Sequence, residues 1–290
     1  MSTSVKTVVF PAAGLGTRIL PATKAFPKEL LPLVDRPVIQ YGVEEAVRSG
    51  IRQVVLVTNP NNKATSAHFA ENRALEQVLA DRGKTRELAA VRTVTTMANV
   101  TTVHQHEPRG LGHAILMAEG GVGDEPFAVV LPDDVIDADP PALRQMNDVF
   151  NQVEGPVILV ERVPKSAVGR YGIIDAAQLR EGVYRINDLV EKPSPEDAPS
   201  DLAIVGRYIL TPDLFPVLGQ TGEGAGGEIQ VTDALRTLLK QRPLYACELR
   251  DAVRLDVGSP LGFLKASVYF AMKRPDVAPA LSDYLKSLRP

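Results

Sequence analysis

Short apolar runs rich in β-branched residues alternate with longer, helix-patterned segments through the first half of the sequence. Strands are predicted at residues 8–10, 53–58, 100–105, 127–131 and 156–162. Helices are predicted between them, at residues 38–49, 64–80, 112–119 and 141–153. Such alternation is typical of βαβ units, in which a helix connects two parallel strands. The first half is therefore expected to form an α/β sheet.

The order of elements changes after residue 170. Strands at 172–175, 183–189 and 204–210 follow one another with little helix between them, which indicates a small β-rich extension that carries a second ligand. The remaining elements are helices at 213–217 and 232–240, a strand pair at 244–249 and 253–257, and helices at 260–273 and 279–288. The whole pattern predicts an α/β fold with a Rossmann-like, mixed but mainly parallel open sheet, helices on both faces and this β-rich extension.

Composition excludes several classes of protein. The 290 residues are 44% hydrophobic and 23% charged, as in an ordinary globular chain, and the formal net charge is -3. No basic field is available for a nucleic acid, so no nucleic acid partner is expected. No apolar stretch approaches membrane-spanning length and no signal peptide precedes the first strand, which predicts a cytoplasmic protein without a membrane partner. The single cysteine, Cys247, is expected to be a buried, inert thiol.

A loop of small residues follows the first predicted strand. Gly14 and Gly16 let the backbone approach a ligand closely, and the N–H groups of such a loop can bind phosphate oxygens. Arg18 and Lys28 would add the positive charge that a triphosphate and its leaving pyrophosphate require. The loop therefore indicates a triphosphate site.

Two familiar phosphate-binding motifs do not match the spacing of residues in this loop. A Walker loop needs Gly, four residues and then Gly-Lys-Ser/Thr, which the sequence lacks. The dinucleotide fingerprint needs a small residue where Ile19 stands, which disfavours a nicotinamide enzyme. A simple tight turn is also compatible with Gly14 and Gly16 alone. Arg18 and the run Pro-Lys-Glu-Leu-Leu-Pro at residues 27–32 favour the phosphate site.

The loop, together with Thr-Lys-Ala-Phe-Pro-Lys-Glu-Leu-Leu-Pro at residues 23–32, resembles the sugar-1-phosphate nucleotidylyltransferases, in particular bacterial members that use UTP and glucose 1-phosphate. Separated motifs carry the resemblance over residues 8–265. It implies transfer of the uridylyl group of UTP to glucose 1-phosphate, release of pyrophosphate, Mg²⁺ as cofactor, and Arg18, Lys28 and Lys192 as catalytic cations. The residues that it assigns to the nucleotide are Ala12, Ala13, Gly14, Gly16, Thr17, Glu29, Gln105 and Gly110.

Two aspartates at strand ends are the candidate metal ligands. Asp133 and Asp134 follow the strand predicted at 127–131, at the sheet edge where α/β folds bind ligands. A carboxylate there either caps the next helix or binds a hard cation. Asp256 ends a strand far downstream. The resemblance implies that Asp133 and Asp256 hold Mg²⁺, whereas Asp134 is expected to lie behind them, with an exchange of roles left open.

Three further short runs are candidates for the sugar phosphate. A carboxylate such as Glu191 can accept hydrogen bonds from two sugar hydroxyls, and Lys192 offers a point charge to the phosphate. A Glu-Lys pair alone is usually a solvated surface pair. Because its position matches the family pattern, the resemblance assigns the sugar phosphate to Gly172, Glu191, Lys192 and Gly206. For His113, near the nucleobase residues Gln105 and Gly110, a structural role is expected.

Two rival functions remain at the level of sequence. The first is a glucose-1-phosphate thymidylyltransferase that uses dTTP, since uracil and thymine differ by one methyl group. The second is a catalytically silent, regulatory sugar-nucleotide-binding subunit. The chain is predicted to divide into a catalytic domain at 1–265, with a nucleotide-binding part at 1–165 and a sugar-binding part at 166–258, and a C-terminal helical segment at 266–290. By resemblance, a homo-oligomer, dimer or tetramer, is expected.

Overall fold

Thirteen strands lie within residues 5–153 and 155–288, the part of the chain that the computed structural model describes. The predictions that fall on residues 1–4, 154, 289 and 290 lie outside the described residues. The strands are β1 Thr7–Ala12, β2 Pro32–Leu33, β3 Arg36–Pro37, β4 Gln53–Thr58, β5 Asn99–His104, β6 Phe127–Val130, β7 Asp134–Ala138, β8 Val157–Arg162, β9 Gly172–Arg180, β10 Val183–Glu191, β11 Leu202–Leu210, β12 Tyr245–Glu248 and β13 Ala252–Asp256.

Helices connect most of these strands. In the described ranges the helices are α1 Val38–Arg48, α2 Ala64–Phe69, α3 Arg73–Asp81, α4 Thr85–Thr96, α5 Leu111–Met117, α6 Glu119–Val122, α7 Ala142–Val153, α8 Leu214–Gln220, α9 Val231–Leu238, α10 Pro260–Met272 and α11 Ala278–Ser287. The helix predicted at 64–80 is wrong in one respect, because the chain breaks at residue 70 into α2 and α3. The Asn72 side chain caps the second of them by accepting from the backbone N–H of Leu75.

The main sheet has the strand order β5-β4-β1-β6-β11-β8-β12-β10-β9 over the described residues. The first four strands are parallel, as the βαβ pattern predicts. From β6 onward most neighbours are antiparallel, and only β12 runs parallel to its neighbour β8. The prediction of a mainly parallel sheet is therefore wrong for the second half, because short hairpin connections such as the Glu181-Gly182 turn between β9 and β10 join antiparallel strands.

The sheet is also not open at its far end. Strand β9 pairs with β11 at Ile173 and Ala203, so β8, β12, β10, β9 and β11 close into a ring of five strands, called the ring below. Closure is possible because the pairing of β11 with β8 shifts register between Ile204 and Tyr208. Such an irregularity bends a strand and lets its two ends face different partners. The β-rich extension predicted from the sequence is this ring.

Both faces of the sheet are buried by helices, as predicted. Along β1 the side chains of Val8 and Phe10 point into a core shared with α1 and α7, while Val9 points into a core shared with α5, α8 and α9. Alternate residues thus enter opposite cores, which is why these strands read as nearly continuous apolar runs. Each fully buried side chain of this kind contributes about 1.5–3 kcal/mol relative to exposure.

A second, two-stranded sheet joins distant segments of chain. Strands β7 and β13 pair antiparallel, with Asp134 opposite Asp256. The sequence suggested that residues 244–249 and 253–257 form a strand pair, and this is wrong. Strand β12 instead lies between β8 and β10 in the main sheet. The buried residues Ala246 and Cys247 of β12 need a cover on both faces, which the sheet interior provides.

The C-terminal helices pack beside this small sheet. Phe263, Ala266 and Phe270 of α10 contact Leu33, Val38 and Val135 in a core of their own. These apolar side chains of α10 therefore pack on the same chain, although Leu261 and Leu264 on the other side of the helix are exposed. No helix in the described ranges is long and apolar enough to cross a membrane.

Candidate active site

The glycine loop, residues 13–31, forms one wall of a pocket of about 550 Å³, called the loop pocket below. Beyond β1 the chain makes three short 3₁₀ turns at Thr17–Ile19, Ala22–Lys24 and Lys28–Leu30. Gly16 has a φ of 64°, and its carbonyl oxygen accepts a hydrogen bond of 2.8 Å from Thr23 Oγ1. The predicted nucleotide residues that line this pocket are Ala13, Gly14, Gly16, Thr17, Glu29, Gln105 and Gly110.

Gly110 and Glu228 also line the loop pocket, and Ile229 packs against Gly110. The backbone N–H of Ile229 donates to the carbonyl of Arg109, and Gly112 N–H donates to the carbonyl of Ile229, both at 2.8 Å. A side chain at Gly110 would place a Cβ atom 2.7 Å from Cβ of Glu228, and the φ of Gly110 is +99°. Glycine is therefore required for this close approach. Glu228, in the Gly-Gly-Glu-Ile-Gln run at residues 226–230, therefore contributes to the lining of the loop pocket.

A second cavity of about 510 Å³, the ring pocket, opens between the ring and the end of β13. All four residues predicted to bind the sugar phosphate line it, namely Gly172, Glu191, Lys192 and Gly206. Glu191 is held from two sides: Oε2 accepts 2.7 Å from Thr232 Oγ1, and Oε1 lies 3.3 Å from Lys192 Nζ. The Lys192 side chain is half-exposed.

The two pockets share a border. Arg18, Leu111, Leu131 and Asp133 line both. One predicted nucleotide residue is placed elsewhere: Ala12 is buried at the end of β1 and lines a separate cavity behind the glycine loop. All the other predicted site residues line one or both of these two pockets, and three of them, Ala13, Gly14 and Lys28, also line the separate cavity.

Asp133 lies at the border under two positive charges. Lys28 Nζ donates to Asp133 Oδ2 at 2.7 Å, and Arg18 Nη2 lies 3.4 Å from the same oxygen. Burial alone would raise the pKa of Asp133, but the charge and hydrogen bond of Lys28 outweigh it and hold that pKa below its usual range. Burial likewise opposes the charge on Lys28, and the attraction of Asp133 raises the Lys28 pKa in spite of it. Both groups are therefore ionised.

Asp256 is brought next to Asp133 by the backbone. Val257 N–H donates to the carbonyl oxygen of Asp133 at 2.8 Å, directly beyond the β7–β13 ladder. The Asp256 carboxylate accepts 2.9 Å from Gly258 N–H and 2.8 Å from Arg170 Nη2. A Cβ atom at Gly258 would lie 2.7 Å from Arg18 Nη2 and 3.1 Å from Asp256 Oδ1. The Arg18 guanidinium therefore lies near Asp256 as well as near Asp133.

Asp134 points away from Asp133 into a different ion pair. Arg254 Nη1 donates to Asp134 Oδ1 at 2.6 Å, and the same guanidinium contacts Glu161 and the Tyr171 hydroxyl. Beside it, Gly206 has a φ of +27°, and a Cβ there would lie 2.6 Å from Asp134 Oδ2. Asp134 thus lines the ring pocket and is held there by Arg254.

Sequence reasoning missed two cations, Arg170 and Arg254. Both line the ring pocket, and their guanidinium groups lie 5.6 and 5.2 Å from the centre of the Tyr171 ring. A signal for Arg254 was present, because it stands two residues before Asp256 and hence on the same face of a strand. Arg170 stands two residues before Gly172, which was predicted to bind the sugar phosphate.

The two aspartates suit a hard divalent cation. Among the described residues, no group of three or more His, Cys, Asp and Glu side chains is arranged to hold a metal ion. Asp133 and Asp256 are the two carboxylates that could hold such a cation together with oxygens of a bound phosphate and water. Octahedral oxygen coordination by few protein ligands is the arrangement expected for a metal that is bound together with a phosphate substrate.

Glu29 is a buried acid in the floor of the loop pocket. Its side chain is 2% exposed, and neither carboxyl oxygen has a hydrogen-bond partner in the described structure. Burial raises the pKa of Glu29 to about 7, while the charge of Lys28 lowers it to a lesser extent. A buried acceptor without a partner costs free energy, so a donor supplied by a ligand would be stabilised here.

Comparison with known proteins assigns a family to this geometry. The family model described as nucleotidyl transferase matches residues 7–272. The chain belongs to the nucleotidyl transferase family, and enzymes of this family generally use a divalent metal. The resemblance seen in the motifs is thereby confirmed.

Curated and solved relatives are more specific. The chain is 47% identical to UTP–glucose-1-phosphate uridylyltransferase YngB of Bacillus subtilis over 288 residues, 99% of this chain and 97% of that protein. A UDP-glucose pyrophosphorylase complexed with UDP-glucose is 42% identical, with a TM-score of 0.85 over 93% of this chain and 100% of that one. UTP-bound UGPase from Acinetobacter baumannii is 36% identical, with a TM-score of 0.91 over 98% and 100% of the two chains.

Proposed function

We propose that the chain is a UTP–glucose-1-phosphate uridylyltransferase, which joins UTP and α-D-glucose 1-phosphate into UDP-glucose and pyrophosphate. The observation that carries the proposal is the shared border of the two pockets. One pocket is lined by a glycine loop with two cations, and the other is lined by a carboxylate, cations and glycines suited to a sugar phosphate. Asp133 and Arg18 line both pockets. Two anionic substrates placed in them would meet at that border.

In this proposal the loop pocket holds UTP. The backbone of the glycine loop faces the phosphates, while Gln105 and Gly110 face the base. The two carboxyl oxygens of Glu29 lack a donor, and the ribose hydroxyls of a nucleotide are donors of the right kind. Binding would therefore satisfy a buried acid that is otherwise alone.

The ring pocket holds glucose 1-phosphate. Glu191 is fixed by Thr232 and offers its remaining acceptor capacity to sugar hydroxyls. Lys192 and Arg170 lie on the same wall and meet the phosphate as positive charges. A glycine at position 172 keeps the wall low, since a Cβ there would lie 3.2 Å from both Glu191 Oε2 and Thr232 Oγ1.

The metal of the proposed reaction is Mg²⁺, held by Asp133 and Asp256. When bound, it would neutralise phosphate charge and polarise the phosphoryl oxygens. The chain's own residues do the remaining work. Arg18 and Lys28 stand beside Asp133, where they bind the triphosphate and stabilise the charge that develops on the departing pyrophosphate.

Bond formation needs no general base. The attacking oxygen belongs to the phosphate of glucose 1-phosphate, which is already an anion. It forms a bond to the α-phosphorus of UTP while the bond from that phosphorus to the bridging oxygen of pyrophosphate breaks, in line. The site accelerates the reaction by holding two mutually repelling anions at one border and by surrounding them with cations.

A pyrophosphate-release assay tests the proposal directly. UTP, CTP, ATP, GTP and dTTP are each combined with glucose 1-phosphate, galactose 1-phosphate and mannose 1-phosphate, with and without Mg²⁺. The expected result is the highest kcat/KM for UTP with glucose 1-phosphate, and loss of turnover with a chelator. A preference for dTTP would assign the chain to the thymidylyltransferases, and a lack of turnover with every pair would indicate a binding subunit.

Three features remain predictions that accompany this proposal. They are the division into a catalytic segment 1–265, with parts 1–165 and 166–258, and a C-terminal segment 266–290; a homo-oligomeric assembly, dimer or tetramer; and a cytoplasmic location.

A further inference from the structure

His113 contacts a residue of the loop pocket without lining that pocket itself. It lies in the first turn of α5, and its Nδ1 atom is 2.9 Å from Nε2 of Gln105. Gln105 is 4% exposed and lines the loop pocket. The contact therefore lies behind the surface that a base would touch, and His113 can act on a ligand only through Gln105.

The orientation of the Gln105 amide is fixed by a third group. The Nε2 atom lies 3.2 Å from the carbonyl oxygen of Gly110. A carbonyl oxygen can only accept, so the amide atom facing it must be the NH₂ group. This assignment does not depend on telling nitrogen from oxygen in the side chain, which density or geometry alone often leaves open. The amide thus has one orientation.

The histidine ring must then accept a hydrogen bond at Nδ1. The second N–H of the Gln105 amide points at this atom, so Nδ1 carries no hydrogen and the ring proton sits on Nε2. Burial lowers the pKa of His113, and the neighbouring charge of Arg109 lowers it further, against a smaller opposing effect of Glu107. Both influences favour the neutral ring that this geometry requires.

Both N–H bonds of the Gln105 amide are now used, one by Gly110 and one by His113. The hydrogen bonds that Gln105 makes through its side chain to the rest of the described chain all use Nε2. Oε1 remains as an acceptor for a ligand. Uracil presents a donor at N3, whereas cytosine presents an acceptor at N3 and a donor on its exocyclic nitrogen.

We propose that His113 is a positioning residue that selects UTP over CTP by holding the Gln105 amide with Oε1 towards the base. The inference rests on the proposed function, because it assumes that UTP is the substrate whose base meets Gln105. An amide held in this orientation accepts from N3–H of uracil and faces N3 of cytosine with a repelling oxygen. Without His113, only the longer 3.2 Å contact with the Gly110 carbonyl opposes rotation of the amide, so the orientation that offers its NH₂ group to cytosine becomes more populated.

A structural role for His113 makes a different prediction. If the ring only supports the start of α5, its removal changes the stability of the fold or affects both substrates together. It does not change the ratio between two bases. The UTP:CTP preference at constant glucose 1-phosphate is therefore the decisive measurement.

The test compares His113→Leu with His68→Leu in the full-length protein. His68 is a matched control, since its Nε2 lies 3.0 Å from Oε1 of Gln40 in a similar contact outside both pockets. For His113→Leu we expect the ratio of kcat/KM for UTP to that for CTP to fall about tenfold, with KM for glucose 1-phosphate changed by less than about twofold. His68→Leu should leave the ratio unchanged.

A rescue variant and a spectroscopic measurement complete the test. His113→Asn places an oxygen acceptor near the position of Nδ1, so it should restore most of the UTP:CTP preference that His113→Leu loses. In the wild-type protein, the ¹⁵N shifts of the His113 ring should report the neutral form with its proton on Nε2. If His113→Leu does not fold, His113→Asn and the ring tautomer still decide.

The outcomes separate the two levels of proposal. An unchanged base preference in His113→Leu, or a ring proton found on Nδ1, overturns the role of His113. Equal losses for UTP and CTP do the same, since they indicate a structural role. If the wild-type protein fails to turn over UTP with glucose 1-phosphate, the proposed function itself is wrong, and the ring tautomer then stands only as a structural observation that no longer supports base selection.

Discussion

The loop pocket and the ring pocket are built from opposite kinds of backbone. The glycine loop has three short 3₁₀ turns, and Leu15 at its tip is 64% exposed. The ring pocket is walled by paired strands of a closed ring, backed by Arg207 in β11, which is 1% exposed. Substrate charges on the loop side are thus met by short turns, whereas the ring pocket is walled by hydrogen-bonded strands, and the two acids lie between β6 and β7 and at the end of β13.

A buried ion pair between Arg207 and Glu45 supports the ring side of the site. Arg207 donates to both carboxyl oxygens of Glu45 in α1 and to the carbonyls of Leu131 and Gly206. Leu131 precedes Asp133 by two residues, so this buried pair fixes the turn that carries the acid. Breaking this buried pair is therefore expected to act mainly on stability.

The largest expected effect comes from breaking the buried pair. Arg207→Met leaves Glu45 buried and unpaired, and should reduce the free energy of unfolding by about 3–5 kcal/mol. Urea denaturation measures it. The double variant Arg207→Met/Glu45→Leu removes both charges and should recover most of the loss. If the single and double variants lose the same free energy of unfolding, the cost of an unpaired buried charge is not the reason for the loss.

The next effect concerns the two acids at the border. Asp133→Asn and Asp256→Asn should each reduce kcat about 10²- to 10³-fold, because each removes a charge from the proposed metal site. The denaturation midpoint of Asp256→Asn should stay close to that of the wild type, whereas Asp133→Asn also removes the partner of the largely buried Lys28 and should lower it. Asp139→Asn is the control, since the Asp139 side chain is 93% exposed and outside both pockets. Normal Mg²⁺-dependent turnover in either acid variant would refute the metal assignment.

Glu29 gives a pH-dependent test on the loop side. Burial raises its pKa from 4.5 to about 7, so the folded chain holds this proton more tightly than the unfolded chain. The contribution of Glu29 to stability is therefore full below the unfolded pKa and is lost as the pH rises through the folded pKa. Glu29→Gln removes the titration. It should gain stability relative to the wild type, by about 3 kcal/mol between about pH 4 and about pH 8.

The measurement for Glu29 is a series of denaturation curves across this pH range. A stability difference between the two proteins that does not vary with pH would show that the Glu29 carboxyl is not the titrating group. The same variant should also bind UTP more weakly, because an amide offers one acceptor oxygen where the carboxylate offers two.

The smallest effect separates the substrates. Lys192→Ala should raise KM for glucose 1-phosphate about tenfold and change KM for UTP by less than about twofold, because Lys192 lines only the ring pocket. Steady-state kinetics with each substrate varied in turn measures this split. Lys165→Ala, at an exposed position outside both pockets, is the control. Equal changes in both KM values would contradict the placement of Lys192.

The sequence predicted the regular part of the fold well. Helix α1 and strand β4 follow the predicted ranges within one residue, because their apolar periodicity is strong and their ends are marked. The closed ring could not be predicted, since the contact of β9 with β11 depends on a bend in β11 that no local pattern encodes. The erroneous pairing of β12 with β13 has the same origin: neighbours in sequence were taken as neighbours in the sheet.

The sequence indicated the charged residues of the glycine loop but not the side chains that contact the site from distant segments. Motif residues such as Arg18 and Lys28 stand at spacings that indicate phosphate chemistry. Arg170, Arg254 and the orientation of Gln105 depend on which side chains meet across distant segments. Only the folded backbone brings those side chains together, so their contributions appear in the structure alone.

The small β7–β13 ladder has a consequence for how this chain can vary in length. The separation of Asp133 and Asp256 is set by backbone hydrogen bonds, so one residue added or removed within β13 would turn Asp256 to the opposite side. Deletions and insertions of single residues should accordingly be tolerated in the exposed turn around residues 194–200 and be incompatible with catalysis when they fall between residues 252 and 256.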